Sequence, residues 1–421
     1  MSNFILDQQY QEEIYQLYLY AFNAQDSANR RDFWNRRFQH AIPYGISVDG
    51  QIETSILSIP FETNFFGTNF KMNGISDVMS APEASGKGGA SQLMKAALQD
   101  MYDNQVTLSY LAPFAFSYYR RFGYEQVFDH VTYTMASDKL PRISKNTENV
   151  QVKRLDFSSN TDLLKSIYQQ SPLAQRGGLN RADWWWDYLP KKFANRQLAV
   201  AFEHQQPTGY VIYERTASEF IIYEVANTDI ESRQALWKFV TKHGTTAENF
   251  IYQSPVADID FDLVDEPYSV TTTVQPYMMA RIVNLQDFLE KYPTSTPAKF
   301  TLDVIDDVLS ENNGHWTFEF DGKVRSVQKS NVPLDTHTAI TIQQLTKILF
   351  GYRSAASLVE HGKIAGWTSD NVKKLRCHHR TSETYFGRLF LIIAKTITSK
   401  KQTSIFNDVC FLLSQCHLVL P

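Results

Sequence analysis

Along residues 10–22 the apolar side chains Ile14, Leu17, Tyr18 and Phe22 are spaced for one face, which predicts an amphipathic helix. Residues 28–38 predict a second helix, basic and aromatic. From 44 to 79 the pattern shortens to the alternation of strands, broken by Asp49-Gly50, a strong hairpin signal. A strand at 74–79 runs into a loop with glycines at 86, 88 and 89. Helical spacing of Ala90, Leu93, Met94, Ala97 and Leu98 follows directly. Then come a strand at 106–111, a short helix at 116–122 closed by Gly123, and a strand around 127–135. This order predicts one α/β domain ending near residue 140.

Residues 150–280 repeat the order in degraded form. A strand at 150–155 is followed by helices at 162–170 and 181–189 and strands at 198–202, 208–214 and 220–225. A helix at 233–243 and a strand at 250–253 complete it. No glycine-rich loop precedes the later helix, so this second copy is expected to serve as scaffold. Trp184, Trp185 and Trp186 point to different faces of a helix and read as packing. From about 295 the texture changes to antiparallel strands at 300–308, 315–320 and 323–328, with a turn at Asp321-Gly322, then helices at 342–350 and 355–361.

The stretch with chemistry is DVMSAPEASGKGGA at 77–90, followed by SYYRRFGYE at 117–125. A strand, a glycine loop and a helix N-terminus present unpaired backbone N–H groups to an anion, and the helix dipole adds attraction. A phosphate or pyrophosphate ligand is therefore expected. The loop lacks the Gly-Lys-Ser/Thr ending of an NTP loop and the glycine spacing of a dinucleotide fingerprint. An ordinary strand-to-helix turn of small residues is the alternative. What remains resembles the acetyl-CoA loop of the GCN5-related N-acetyltransferases, Arg/Gln-x-x-Gly-x-Gly/Ala, matched here by Ser85-x-x-Gly88-x-Ala90. Ser85 departs from that pattern and leaves the backbone N–H groups intact. The aromatic helix ending in Gly123-Tyr124 is the second motif of that fold, in the right order.

Composition adds boundaries. A chain of 421 residues suggests two or three domains. Its net charge of −4 gives no electrostatic footprint for nucleic acid. No secretory signal and no apolar run of membrane-spanning length is visible, which points to the cytoplasm. All three cysteines, Cys377, Cys410 and Cys416, fall in the last tenth of the chain. Their spacings make a disulfide framework or zinc site improbable, and Cys377-His378-His379 lacks a second half. No metal is expected.

Together the three parts resemble the Eis (enhanced intracellular survival) family of N-acetyltransferases. The resemblance runs from residue 1 to about 375, carried by the two motifs above, by PYMMARIVNLQDFL at 276–289 and by LFGYRSAASLVEHGKI at 349–364. It implies an α/β chain of tandem acetyltransferase folds followed by an α+β sterol-carrier-like domain: a catalytic unit at 1–140, a cryptic one at 141–290, a sterol-carrier-like domain at 291–390 and an atypical tail at 391–421. Acetyl-CoA is the implied co-substrate, held by Val78, Met79, Ser80, Gly86, Lys87, Gly88, Gly89, Ala90 and Ser91. The acetyl group passes directly to a primary amine of a polyamine, an aminoglycoside-like molecule or a lysine. Aligning the motif YxRFGY makes Tyr119 the general acid toward the leaving thiolate, and the family's terminal carboxylate is the base. Asp26 and Trp34 are expected on the wall of the substrate cavity, and a homo-oligomer, a hexamer in that family, is implied.

The tail departs from the family. After Leu375 it reads RCHHRTSETYFGRLFL and onward, with no resemblance. Synonymous codons for residues 376–391, shifted by one base, encode DAIIEHQKPTLEDYF and then a stop. A frameshift near Leu375 is therefore expected, with the lost terminal carboxylate aligned near Phe390 and the chain as given poorly active. A genuine extension is the alternative. Two further classes compete with the enzyme: an impaired pseudoenzyme, and a CoA- or lipid-binding protein.

Overall fold

The computed structural model describes residues 4–372, apart from 66, 142, 144–148, 255–263, 294–296, 324, 331, 333, 336–338 and 370–371. The expected frameshift junction, Phe390 and the three cysteines lie outside the described residues.

Two helices open the fold, α1 (Gln11–Ala21) and α2 (Ala28–Gln39). Helix α1 buries Ile14, Tyr15, Leu17 and Tyr18. Helix α2 is capped by Ser27, whose Oγ accepts from the N–H of Arg30 at 3.1 Å. The strands β1 (Ile42–Val48) and β2 (Gln51–Phe65) form the expected hairpin. Asp49 and Gly50 at its tip both have left-handed φ, 52° and 81°, as a tight turn between twisted strands requires. Strand β3 (Thr68–Ser80) leads through the glycine loop to α3 (Gly89–Asp103), then come β4 (Leu108–Leu111), α4 (Phe116–Arg120) and β5 (Glu125–Ala136). Helix α3 buries Leu93, Met94, Ala97, Leu98 and Met101 against the sheet, the face its sequence spacing predicts.

The second part contains β6 (Val150–Leu155), α5 (Thr161–Gln170), α6 (Pro172–Gln175), β7 (Arg176–Leu179) and α7 (Asp183–Lys192). After these come β8 (Gln197–Glu203), β9 (Gln206–Arg215), β10 (Glu219–Asn227), α8 (Ile230–Thr241), β11 (Asn249–Ser254) and β12 (Thr271–Ile282). Each part holds one parallel crossover, β3–α3–β4 and β10–α8–β11, and the other pairings of this sheet are antiparallel. Trp185 and Trp186 are fully buried, as packing residues should be.

Chain order and sheet order part at β12. The main sheet runs β1-β2-β3-β4-β12-β5-β11-β10-β9-β8-β6, with β7 paired to β2. Strand β12, far along the chain, therefore lies between β4 and β5 of the first part, and β5 pairs with β11 of the second. A cut at residue 140 severs this sheet, so the expected 1–140 unit is not self-contained. The inserted strand covers edges that would otherwise be left unpaired. Its Pro276, which has no N–H to donate, sits where the register against β5 slips.

The last part is α9 (Leu285–Lys291), β13 (Ala298–Ile305), β14 (Gly314–Phe320), β15 (Arg325–Ser330), β16 (Ile340–Thr341), α10 (Ile342–Leu349) and α11 (Ala355–Glu360). Its own sheet has the order β15-β14-β13-β16. The two-residue β16, parallel to β13, is too short for a sequence pattern to reveal. This part shares a core with the first: the Phe350 ring packs edge-on to Phe65 at 4.8 Å and to Phe128 at 5.8 Å.

Candidate active site

Strands β3 and β4 pair only from Met72–Gly74 to Leu108–Tyr110. Beyond that point β3 continues to Ser80, while β4 ends and the chain turns toward α4. On the other side of β3 the register against β2 slips between Ser55 and Leu57, a bulge at Asp77, whose φ of 48° is left-handed. Such a backbone persists only where its surroundings hold it. Here the buried Asp77 carboxylate pairs with the buried Arg37 guanidinium of α2. It also accepts from Trp34 Nε1 at 3.2 Å and from Ser76 Oγ at 2.8 Å. Around the split lies a cavity of about 2090 Å³, open to solvent.

One end of the cavity is the glycine loop. Gly86 and Gly88 have φ of 78° and 85°. A Cβ at either would meet no atom within 4 Å, so the backbone conformation and not crowding calls for glycine, and the space beside it is open. Gly89 differs: a Cβ there would come within 2.9 Å of Thr54 Oγ1, so its role is close packing of α3 on the sheet. No side chain caps α3, and its first intrahelical bond is Gln92 N–H to Gly88. The N–H groups at its first turn are therefore left for a ligand.

The second part shows the same device closed. Helix α8 begins after β10 with Asp229, whose carboxylate accepts from Ser232 N–H at 2.7 Å. A built-in anion already fills that helix N-terminus. The bulge pair also recurs: Glu224, at a register slip in β10, is bound by Arg181 at 2.5 and 3.0 Å, both buried. The repeat thus keeps its structural ion pair, while its helix α8 starts with a side-chain cap where α3 has none.

Of the nine residues expected to hold the cofactor, Val78, Met79, Ser80, Gly86, Gly88, Gly89, Ala90 and Ser91 line the cavity; Lys87 is exposed and outside its wall. Tyr119 lines it too, buried on α4, with Tyr118 beside it. The C-terminal end of α4 is held from outside: Arg281 of β12 donates to the Phe122 carbonyl and pairs with Asp306, all buried. Gly123 makes room for this, since a Cβ there would lie 2.6 Å from the guanidinium. Trp34 and Asp26, expected on the wall, are not on it. Trp34 is fully buried among Tyr15, Tyr18 and Phe38, and its indole serves Asp77. Asp26 lies at the surface, bonded to Tyr15 Oη at 2.6 Å and Arg31 at 2.9 Å, partners that hold its carboxyl below the usual range. Arg30, Arg37, Asp77 and Lys192 are wall residues that sequence reasoning did not single out. Lys192 comes from α7 of the second part, and only tertiary structure brings it here.

A split parallel pair, a bulged strand and an uncapped helix behind a glycine loop define an acyltransferase of the GCN5-related type. Residues 6–127 match the acetyltransferase (GNAT) domain, residues 177–282 a second acetyltransferase (GNAT) domain, and residues 285–387 the sterol carrier protein domain. Among solved structures, the chain is similar to a conserved protein of unknown function from Enterococcus faecalis V583, described as a probable N-acyltransferase. The two are 32% identical, the match covers 88% of this chain and 94% of the other, and the TM-score is 0.81. The chain belongs to the GCN5-related N-acetyltransferases, as a tandem pair of such domains followed by a sterol carrier protein domain. The same fold is seen in a GCN5-related N-acetyltransferase from Anabaena variabilis ATCC 29413, at 22% identity, 88% and 95% coverage and TM-score 0.78. It is also seen in Eis1 from Mycobacterium abscessus, at 17% identity, 88% and 95% coverage and TM-score 0.73. No curated protein matches the chain.

Proposed function

We propose that this chain transfers the acetyl group of acetyl-CoA directly to a primary amine, as a member of the Eis family. The observation that carries the reading is the contrast between two helix N-termini of one chain: α3 opens uncapped onto a large cavity, and α8 is closed by its own Asp229. The pyrophosphate lies on the N–H groups from Gly86 to Ser91, and the pantetheine runs along β3 at Val78–Ser80. These placements are supported by the lining of the cavity. In this arrangement the amine attacks the thioester carbonyl, the C–S bond breaks, and Tyr119 protonates the leaving thiolate. The amine's own proton passes to a base, assigned to the terminal carboxylate of the shifted ending DAIIEHQKPTLEDYF. Thiol release from acetyl-CoA with a panel of primary amines tests the reading, on the chain as given and on one carrying that ending after Leu375. Amine-dependent release, stronger with the shifted ending, is expected. CoA binding with no release from either chain would leave a CoA-binding protein and sink the enzymatic reading.

A further inference from the structure

The charge on the cavity wall is lopsided. Among the described residues that line it, Arg30, Arg37, Arg121 and Lys192 face a single acid, Asp77, which Arg37 already occupies. Arg30 donates to the neutral Tyr18 hydroxyl at 2.9 Å. Lys192 Nζ lies 4.3 Å from the centroid of the Phe33 ring, and the Arg30 guanidinium carbon lies 5.9 Å from the same ring. Among the described residues, neither cation has a carboxylate within ion-pair distance.

The outer faces of the same two helices are different. Arg31 pairs with Glu12 and Asp26, Arg36 with Asp32, and Lys191, the immediate neighbour of Lys192, with Asp32 at 3.2 Å. Cations turned outward are matched, and the two that face the cavity beside Phe33 are not. A partly buried cation without a counter-ion is costly, and an anionic ligand removes that cost. Lys192 lies within electrostatic reach of Asp77, whereas the proposed phosphate seat is the glycine loop that follows Ser80 along the chain. The unmatched pair therefore faces what arrives opposite the cofactor phosphates.

Resting on the acetyl-transfer reading, we propose that the acceptor is an amine bearing a carboxylate, with that carboxylate held by Arg30 and Lys192. Polyamines and aminoglycosides, which carry only positive charge, meet repulsion at this wall. Burial, together with the nearby Arg37 and Arg30, pulls Lys192 down to about 7 against a smaller pull from Asp77. The charged groups that act on it are Arg37 and Arg30 of α2 and Asp77 of β3, while Tyr18 of α1 and Tyr188 of α7 act on Arg37. A carboxylate docked on Lys192 raises its proton affinity, so at pH 8 binding should take up a proton.

The test compares amines that differ only by the carboxylate, lysine with cadaverine and ornithine with putrescine, titrated by calorimetry onto the full chain saturated with CoA. The carboxylate member of each pair should bind at least about tenfold tighter, the scale of one modest ionic contact. Its heat at pH 8 should vary with the ionisation enthalpy of the buffer, reporting proton uptake. In a double variant, Arg30→Met with Lys192→Met, preference and uptake should both vanish while CoA affinity stays unchanged. Equal or tighter binding of the diamines would overturn the proposal, as would failure of either amino acid to bind at millimolar concentration. Loss of CoA affinity in the double variant would assign the two cations to the cofactor instead. Preserved carboxylate preference with no thiol release from any amine would sink the acetyl-transfer reading and, with it, the role of acceptor, leaving Arg30 and Lys192 only as a carboxylate-binding site.

Discussion

At Gly88 a single backbone angle prepares the site. Its φ of 85° turns the chain into α3 with no capping side chain, and nothing occupies the space a Cβ would take. Aspartate tolerates left-handed φ better than most residues, so Gly88→Asp should fold. Its carboxylate stands where phosphate is proposed to bind, and acetyl-CoA affinity should fall by roughly a hundredfold or more, a loss on the scale of replacing attraction by repulsion. Unchanged affinity by calorimetry would refute the placement of the pyrophosphate. Tyr119→Phe addresses the chemistry. Removing a general acid costs roughly a hundred- to ten-thousand-fold in kcat, with KM for acetyl-CoA little changed. A variant with full kcat would move the proton donor elsewhere, the neighbouring Tyr118 being the first candidate.

Elements were the most legible level of this chain. Period-two and helical patterns located the hairpin at Asp49-Gly50, the glycine loop and α3, because each has a local cause: a turn conformation, an N-terminus, an apolar face. The sheet order was not legible. Nothing local in TTTVQPYMMARI says that β12 inserts between β4 and β5, since strand pairing is settled by which edges remain open once the whole chain is folded. The wall of the cavity was half legible. Its loop residues announced themselves by glycine spacing, whereas Lys192 and Arg37 arrive from distant helices. Trp34 and Asp26 were misplaced for the converse reason: a tryptophan in an aromatic helix is drawn to the core, and an aspartate before that helix finds Tyr15 and Arg31 at the surface. One sign of Arg37 was available. An arginine on a buried helical face needs an acid, and Asp77 is the one carboxylate in the strand that leads to the glycine loop.

Across the whole molecule, the third part braces the first. Asp306 follows β13 and pairs, buried, with Arg281 of β12, which in turn donates to the carbonyl of Phe122 just beyond the Tyr119 helix. Asn312 adds a bond to Asp306 at 2.9 Å. Removing one partner of such a pair leaves a buried charge uncompensated, so Asp306→Ala should cost about 3–5 kcal/mol in denaturant unfolding. Unchanged stability would show that this pair does not brace the first part and that packing alone joins the two. No helix among the described residues is long and apolar enough to cross a membrane. Assembly into a homo-oligomer is expected from the family resemblance, and light scattering at micromolar concentration reports it.

The most direct test of the central claim follows the acetyl group itself. The chain carrying the shifted ending is incubated with acetyl-CoA labelled on its acetyl carbons and with carboxylate-bearing amines, and the products are read by mass spectrometry. The label should appear on the amine nitrogen in step with thiol release, and should disappear in both Gly88→Asp and Tyr119→Phe. Label that never reaches an amine, or that reaches it equally in both variants, would contradict the assignment of this cavity as an acetyltransferase site.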